Sequence, residues 1–112
     1  MEKFVYLFRN TQEHYAMSPE AAEASMQKWT NWMGDLGKKG ILTGGDPLQG
    51  TGKSVSGKNK VVTDGPFVEA KELVGGYLII NAKDINEAVE ISKGCPIFET
   101  DGRVEVRPVQ KM

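Results

Sequence analysis

Phe4-Val5-Tyr6-Leu7-Phe8 is a run of aromatic and β-branched side chains that gives way to the polar cluster Arg9-Asn10-Thr11-Gln12. Such a run with such a stop reads as a strand entering a loop. Side chains alternate across a strand, so Phe4, Tyr6 and Phe8 leave one side while Val5 and Leu7 leave the other. Both sides are therefore apolar. Gly75-Gly76-Tyr77-Leu78-Ile79-Ile80-Asn81 repeats the pattern, with apolar side chains on both sides between Tyr77 and Ile80. A sheet made of such strands needs a cover over each of its faces.

Between these strands, Ser18-Pro19-Glu20 supplies an N-cap hydroxyl, a proline suited to the first helical position and an acid placed well against the helix dipole. Ala22, Met26, Trp29, Met33 and Leu36, joined by Ser25 and Trp32, then recur at spacings of three and four, the stripe of an amphipathic helix. Gly37 to Gly40 ends it, with Lys38 and Lys39 near the last carbonyls. Ile41-Leu42-Thr43-Gly44-Gly45 reads as a short second strand. Lys53-Ser54-Val55 and Asn59-Lys60-Val61-Val62-Thr63 flank a turn at Ser56-Gly57-Lys58, which predicts a hairpin. The charged stretch Glu69-Ala70-Lys71-Glu72 has the composition of a single helical turn. After the strand at Tyr77 to Ile80, Asp84-Ile85-Asn86-Glu87 has capping-box spacing. Ile85, Ala88, Val89 and Ile91 give the second helix its apolar side, and Gly94 ends it. A last strand, Arg103 to Arg107, follows a turn at Thr100-Asp101-Gly102.

Strand, helix, strand thus occurs twice, with a hairpin between the halves. The expected fold is α+β, a ferredoxin-like βαβ-hairpin-βαβ arrangement in one domain spanning residues 1–112. Right-handed crossovers put both helices on the same face of one antiparallel sheet. The other face is left bare, and contiguous apolar surface of that kind usually marks an interface. Two copies are expected to associate sheet to sheet as a homodimer. In the competing arrangement the hairpin and the C-terminal residues fold over the bare face and keep the chain monomeric.

Composition narrows the function. The 112 residues carry 14 basic and 15 acidic side chains, with no run of one sign, for a formal charge of −1. Nucleic-acid binding lacks the basic patch that phosphate neutralisation requires. No apolar stretch reaches the roughly 20 residues of a bilayer span, so no membrane partner is expected. Met1-Glu2-Lys3-Phe4 runs straight into strand-like sequence without the architecture of a signal peptide, which points to the cytoplasm. One cysteine, Cys95, and one histidine, His14, leave no Cys/His cluster for a metal. No cofactor is expected, and Cys95 between Gly94 and Pro96 reads as a small packing residue.

The candidate catalytic residue is Asp64, a carboxylate at a strand end where a loop can expose it to a cleft. Its structural alternative is an Asx-turn in which the following glycine and proline set a bend and Phe67 anchors it. Glu105 and Arg107 stand two apart on a strand and leave the same face, opposite Val104 and Val106. If that face lines the space between two sheets, Arg107 becomes a binding group for a small anionic molecule; otherwise the two form a partly exposed ion pair. Glu69, Lys71 and Glu72 could rim the same cavity or form a solvated face. Phe67 and Tyr6 are the aromatic candidates for its lining. His14 and Tyr15, in the loop before the first helix, are either a gate or plain surface.

The run Val62-Thr63-Asp64-Gly65-Pro66-Phe67-Val68-Glu69-Ala70-Lys71-Glu72, followed by Gly75-Gly76-Tyr77 and later by Val104-Glu105-Val106-Arg107-Pro108-Val109, resembles the DGPF branch of the YCII-related proteins. Gly40 to Gly45 and Leu48 extend the resemblance over nearly the whole chain. It implies a dimeric α+β barrel. For relatives of the YCII type an enzymatic role is proposed, with a histidine on the first helix and a nearby aspartate as the catalytic pair. The equivalent helix position here is Trp29, and His14 lies ahead of the helix, so the resemblance does not carry that pair over. Members of the DGPF branch are also associated with extracytoplasmic-function sigma factors. Two functions follow: a cofactor-independent enzyme or binder of a small anion near the dimer interface, or a non-catalytic regulatory module that engages a protein partner.

Overall fold

The computed structural model describes residues 1–65 and 73–112. Strand β1 (Glu2–Asn10) leads through a four-residue helix α1 (Gln12–Tyr15) to α2 (Pro19–Lys38) and β2 (Leu42–Pro47). A hairpin, β3 (Gly52–Ser56) and β4 (Val61–Gly65), precedes β5 (Leu73–Ala82), α3 (Ile85–Ser92), a 3-10 turn at Pro96–Thr100 and β6 (Arg103–Pro108). Four strands form one antiparallel sheet in the order β2-β5-β1-β6. The hairpin is a separate two-stranded sheet. The repeated strand-helix-strand order and the interposed hairpin are those expected from the sequence. The turn proposed at Glu69 to Glu72 lies outside the described residues.

The helices start where the chain offers caps. Ser18 Oγ accepts from the Ala21 amide at 3.2 Å, with Pro19 opening α2. Asp84 accepts from the Glu87 amide at 2.9 Å, while Glu87 accepts from the Lys83 amide at 3.1 Å. The bonds from the Ala21 and Glu87 amides satisfy donors that each helix itself leaves unpaired. Ser18→Ala is expected to lower stability by about 1 kcal/mol in urea denaturation. Gly40, with φ at +73°, reverses the chain after α2, and the Ile41 amide donates to Leu36 O at 2.9 Å, which closes the helix.

The core lies between the sheet and the helices. Phe4, Tyr6, Phe8, Leu78, Ile80 and Ala82 point from the sheet into Ala88, Cys95 and Ile97, with Trp29, Trp32, Met33 and Ile91 packed against them. Phe8 meets Trp29 edge to face at 4.9 Å, and Tyr6 stacks on Trp32 at 6.4 Å. Burial pushes the Cys95 thiol up to about 12, as suits a packing residue.

Three local expectations need correction. Arg9 and Asn10 belong to β1, and His14 and Tyr15 sit on α1 and not in a loop, because the His14 amide donates back to Thr11 O and closes a turn. On α2 the inward stripe is the half-buried Ser25, Trp29, Trp32 and Met33 with the buried Leu36; Ala22 and Met26 are exposed. Met26 lies about 100° around the helix from Ser25, at the edge of that stripe. The turn before β6 is preceded by the 3-10 segment, which ends at Asp101 in the left-handed conformation, φ +57°.

Candidate functional site

Cross-strand register fixes what the uncovered face of the sheet presents. Val5 lies opposite Ile79 and Arg107, Leu7 opposite Tyr77 and Glu105, and Arg9 opposite Arg103. On the outer strand β2, Gly44 lies opposite Ile79 and Asp46 opposite Tyr77. Directly opposed residues share a face, so Val5, Leu7 and Ile79 form an apolar strip with charged groups along both margins. All three are half-buried within the single chain.

On the β6 margin, two arginines engage one carboxylate, and a third shares their face. Glu105 Oε1 is 3.0 Å from Arg9 Nη2 and accepts from Arg9 Nε at 3.1 Å. Arg107 Nε is 3.9 Å from Glu105 Oε2. Arg103 stands two residues before Glu105 on the same strand and face. Glu105 thus engages Arg9 closely and Arg107 loosely, and these two arginines outnumber the one carboxylate. Planar guanidinium donors gathered in this way suit a carboxylate or phosphate. Arg107 and Glu105 were the sequence candidates for this face; Arg9 and Arg103 were not. The signal for them was β-register, since Arg9 continues the alternation of Val5 and Leu7 once β1 is extended by two residues.

On the β2 margin, the Tyr77 hydroxyl donates to Asp46 Oδ2 at 3.0 Å. The hydrogen bond to Asp46, and the second negative charge that ionisation would place beside that carboxylate, hold the Tyr77 phenol above its ordinary range.

The remaining candidates are dispersed. Tyr6 is fully buried on the helix-covered face and its hydroxyl donates to Ala88 O, so it belongs to the core and not to the face that carries Arg107. Asp64 sits on β4, where its side chain is 90% exposed and accepts from Lys53 Nζ at 2.6 Å; its described partner is that lysine and not its own backbone. The structure does not unite Asp64 with Arg107, since Asp64 belongs to the hairpin and Arg107 to the four-stranded sheet. Phe67, Lys71 and Glu72 lie outside the described residues. His14 is half-buried on α1, its ring edge to face with Tyr15 at 4.9 Å, and burial holds its imidazole below the usual value.

A sheet ordered β2-β5-β1-β6 with helices on one face is the ferredoxin-like arrangement, and here its free face carries ionisable groups beside an apolar strip. The chain belongs to the YCII-related domain family, whose model matches residues 3–112. Among solved structures it is similar to 5-chloro-2-hydroxyhydroquinone dehydrochlorinase (TftG) from Burkholderia phenoliruptrix AC1100 in complex with 2,5-dihydroxybenzoquinone. That likeness has a TM-score of 0.50 at 14% sequence identity, covering 98% of this chain and 95% of TftG, and it concerns the fold. No curated protein matches the chain. No helix among the described residues is long and apolar enough to cross a membrane.

Proposed function

We propose that two copies of this chain pack through their uncovered sheet faces, and that the arginine group on that face binds a small anionic molecule in the space between them without a bound cofactor. The observation that carries this reading is the face itself: Val5, Leu7 and Ile79 side by side, with Arg9 and Arg107 on Glu105 at their margin. The hairpin does not supply a cover from within the chain, since its described residues are exposed and pack on no other described element to any extent. Sheets stacked face to face lie about 10 Å apart. A gap of that depth excludes bulk water, and charge-assisted bonds to an anion strengthen as the local dielectric falls.

Asp64 is the acid–base group of this proposal. It stands on the hairpin, a sheet separate from the one that carries the arginines, so it serves the site when the hairpin of one subunit lies over the face of the other. Membership of the DGPF branch and a cytoplasmic address belong to the same reading. TftG is a small-molecule enzyme by its description, which is compatible with this role for the fold; the assignment to this chain rests on its own arginines.

An unbiased thermal-shift screen of metabolites tests the proposal, since a ligand that binds only the native state raises its stability by mass action. Small carboxylates or phosphates are expected among the hits. Arg107→Ala is expected to weaken them roughly ten- to a hundredfold, the loss of one hydrogen bond to a charged group. A hit that keeps its affinity in both Arg107→Ala and Asp64→Asn ends the assignment.

A further inference from the structure

The strand β2 contains a bulge whose effect is confined to one carboxylate. Leu42 pairs with Ile80 and Gly44 with Ile79, so Thr43 is an extra residue on its strand. Unbroken register would set Asp46 opposite Gly76, on the helix-covered side with Phe8. One inserted residue moves every later side chain to the other face, and Asp46 comes out opposite Tyr77 instead. The bulge is held in place: Thr43 Oγ1 donates to Ile79 O at 3.0 Å. Gly45 takes φ +140°, and a Cβ there would run into the Tyr77 carbonyl oxygen. Gly44, whose Cβ position meets nothing within 4 Å, leaves a shallow space beside Ile79.

We infer that the Asp46–Tyr77 pair is the second half of the ligand site, and that the ligand is a ring-sized molecule with an anionic group at one end and a hydroxyl at the other. This rests on the anion site proposed above. The Tyr77 proton is committed to Asp46 Oδ2, so the pair offers lone pairs on the phenol oxygen and on Asp46 Oδ1. It accepts a hydrogen bond and has none to give while that bond holds. A ligand hydroxyl is the donor that matches it. At the opposite margin Arg107 offers donors and accepts nothing. Strands lie about 4.8 Å apart, so β5 and β6, separated by β1, are about 10 Å apart. One six-membered ring with a substituent at each end, plus a hydrogen bond at one or both ends, spans that interval. Val5, Leu7 and Ile79 form the floor beneath it.

The test compares binding of 4-hydroxybenzoate, benzoate and phenol to the wild-type protein by calorimetry, with Arg107→Ala, Tyr77→Phe and Asp46→Asn as variants. The hydroxylated carboxylate is expected to bind about tenfold more tightly than benzoate, the effect of one hydrogen bond to a charged acceptor. Asp46→Asn is expected to abolish that preference and Tyr77→Phe to reduce it, while Arg107→Ala weakens both carboxylates. Benzoate binding that depends on Arg107, without a preference for the hydroxyl, overturns the Asp46–Tyr77 assignment and leaves the anion site standing. Failure of every carboxylate to bind overturns the anion site and this inference together. A preference that survives in Asp46→Asn also overturns the assignment.

Discussion

Leu7→Asp is expected to convert a two-chain particle into a one-chain particle of unchanged fold. Leu7 lies between Tyr77 and Glu105 at the middle of the uncovered face, so a carboxylate there would stand directly opposite the like charge of Glu105 and be desolvated by the partner. An uncompensated buried charge costs about 3–5 kcal/mol. A two-fold interface contains the same substitution twice. The combined penalty of about 6–10 kcal/mol weakens association by roughly ten-thousandfold or more, at about 1.4 kcal/mol for each factor of ten. Leu7 is only half-buried in the single chain and faces away from the core, so the protomer should keep its circular dichroism spectrum. Light scattering across a concentration series reads the result. A wild-type protein with the mass of one chain at high concentration, or a Leu7→Asp variant with the mass of two, removes the basis for a site between subunits.

The second large effect belongs to the covered face. Tyr6 is completely buried, stacks on Trp32 and meets Phe8 edge to face at 6.2 Å. Tyr6→Ala leaves a cavity that helices on one side and a sheet on the other cannot close, and large-to-small aromatic changes of this kind cost about 3–5 kcal/mol. Against the roughly 5–15 kcal/mol by which a domain is stable, that is a large fraction. Tyr6→Phe keeps the ring and removes only the bond to Ala88 O, so its expected cost is about 1 kcal/mol. Urea midpoints for the two variants should therefore separate widely. Equal midpoints would mean that the hydroxyl and not the ring carries the contribution of Tyr6.

The two substitutions probe opposite faces of β1, and that strand also shows how much of the molecule was legible in its sequence. Alternation placed Phe4, Tyr6 and Phe8 together and Val5 and Leu7 together, as observed. It did not say which face the helices would cover. Tyr6 was expected to line a ligand pocket because an aromatic with a hydroxyl suits either a pocket or a core. Its environment was decided by where α2 and α3 lie, which depends on contacts far apart in the chain. The caps at Ser18 and Asp84 were legible because capping is a local matter of side chain and neighbouring amide. Glu105 and Arg107 were placed on a common face for the same reason, being two residues apart on one strand.

Arg9, Arg103, Asp46 and Tyr77 were not legible as site residues. Arg9 joins Glu105 across 96 positions of sequence, and nothing local announces such a pairing. Asp46 is the sharper case, since its face depends on a single bulge at Thr43. Reading the strand by simple alternation sends that carboxylate to the wrong side. Asp64, conspicuous in its motif, instead pairs with Lys53 on a hairpin apart from the arginines.

The sequence by itself determined the order of strands and helices, the positions of the caps and stops, and the apolar character of both sides of β1 and β5. Each of these follows from residues within one turn or one pleat of each other. Only the tertiary structure decided which of those sides became the core, which arginines meet Glu105 and which face Asp46 occupies. Strand register and helix packing are set by the fit of distant segments, and a shift of one residue in that fit exchanges the two faces of a strand.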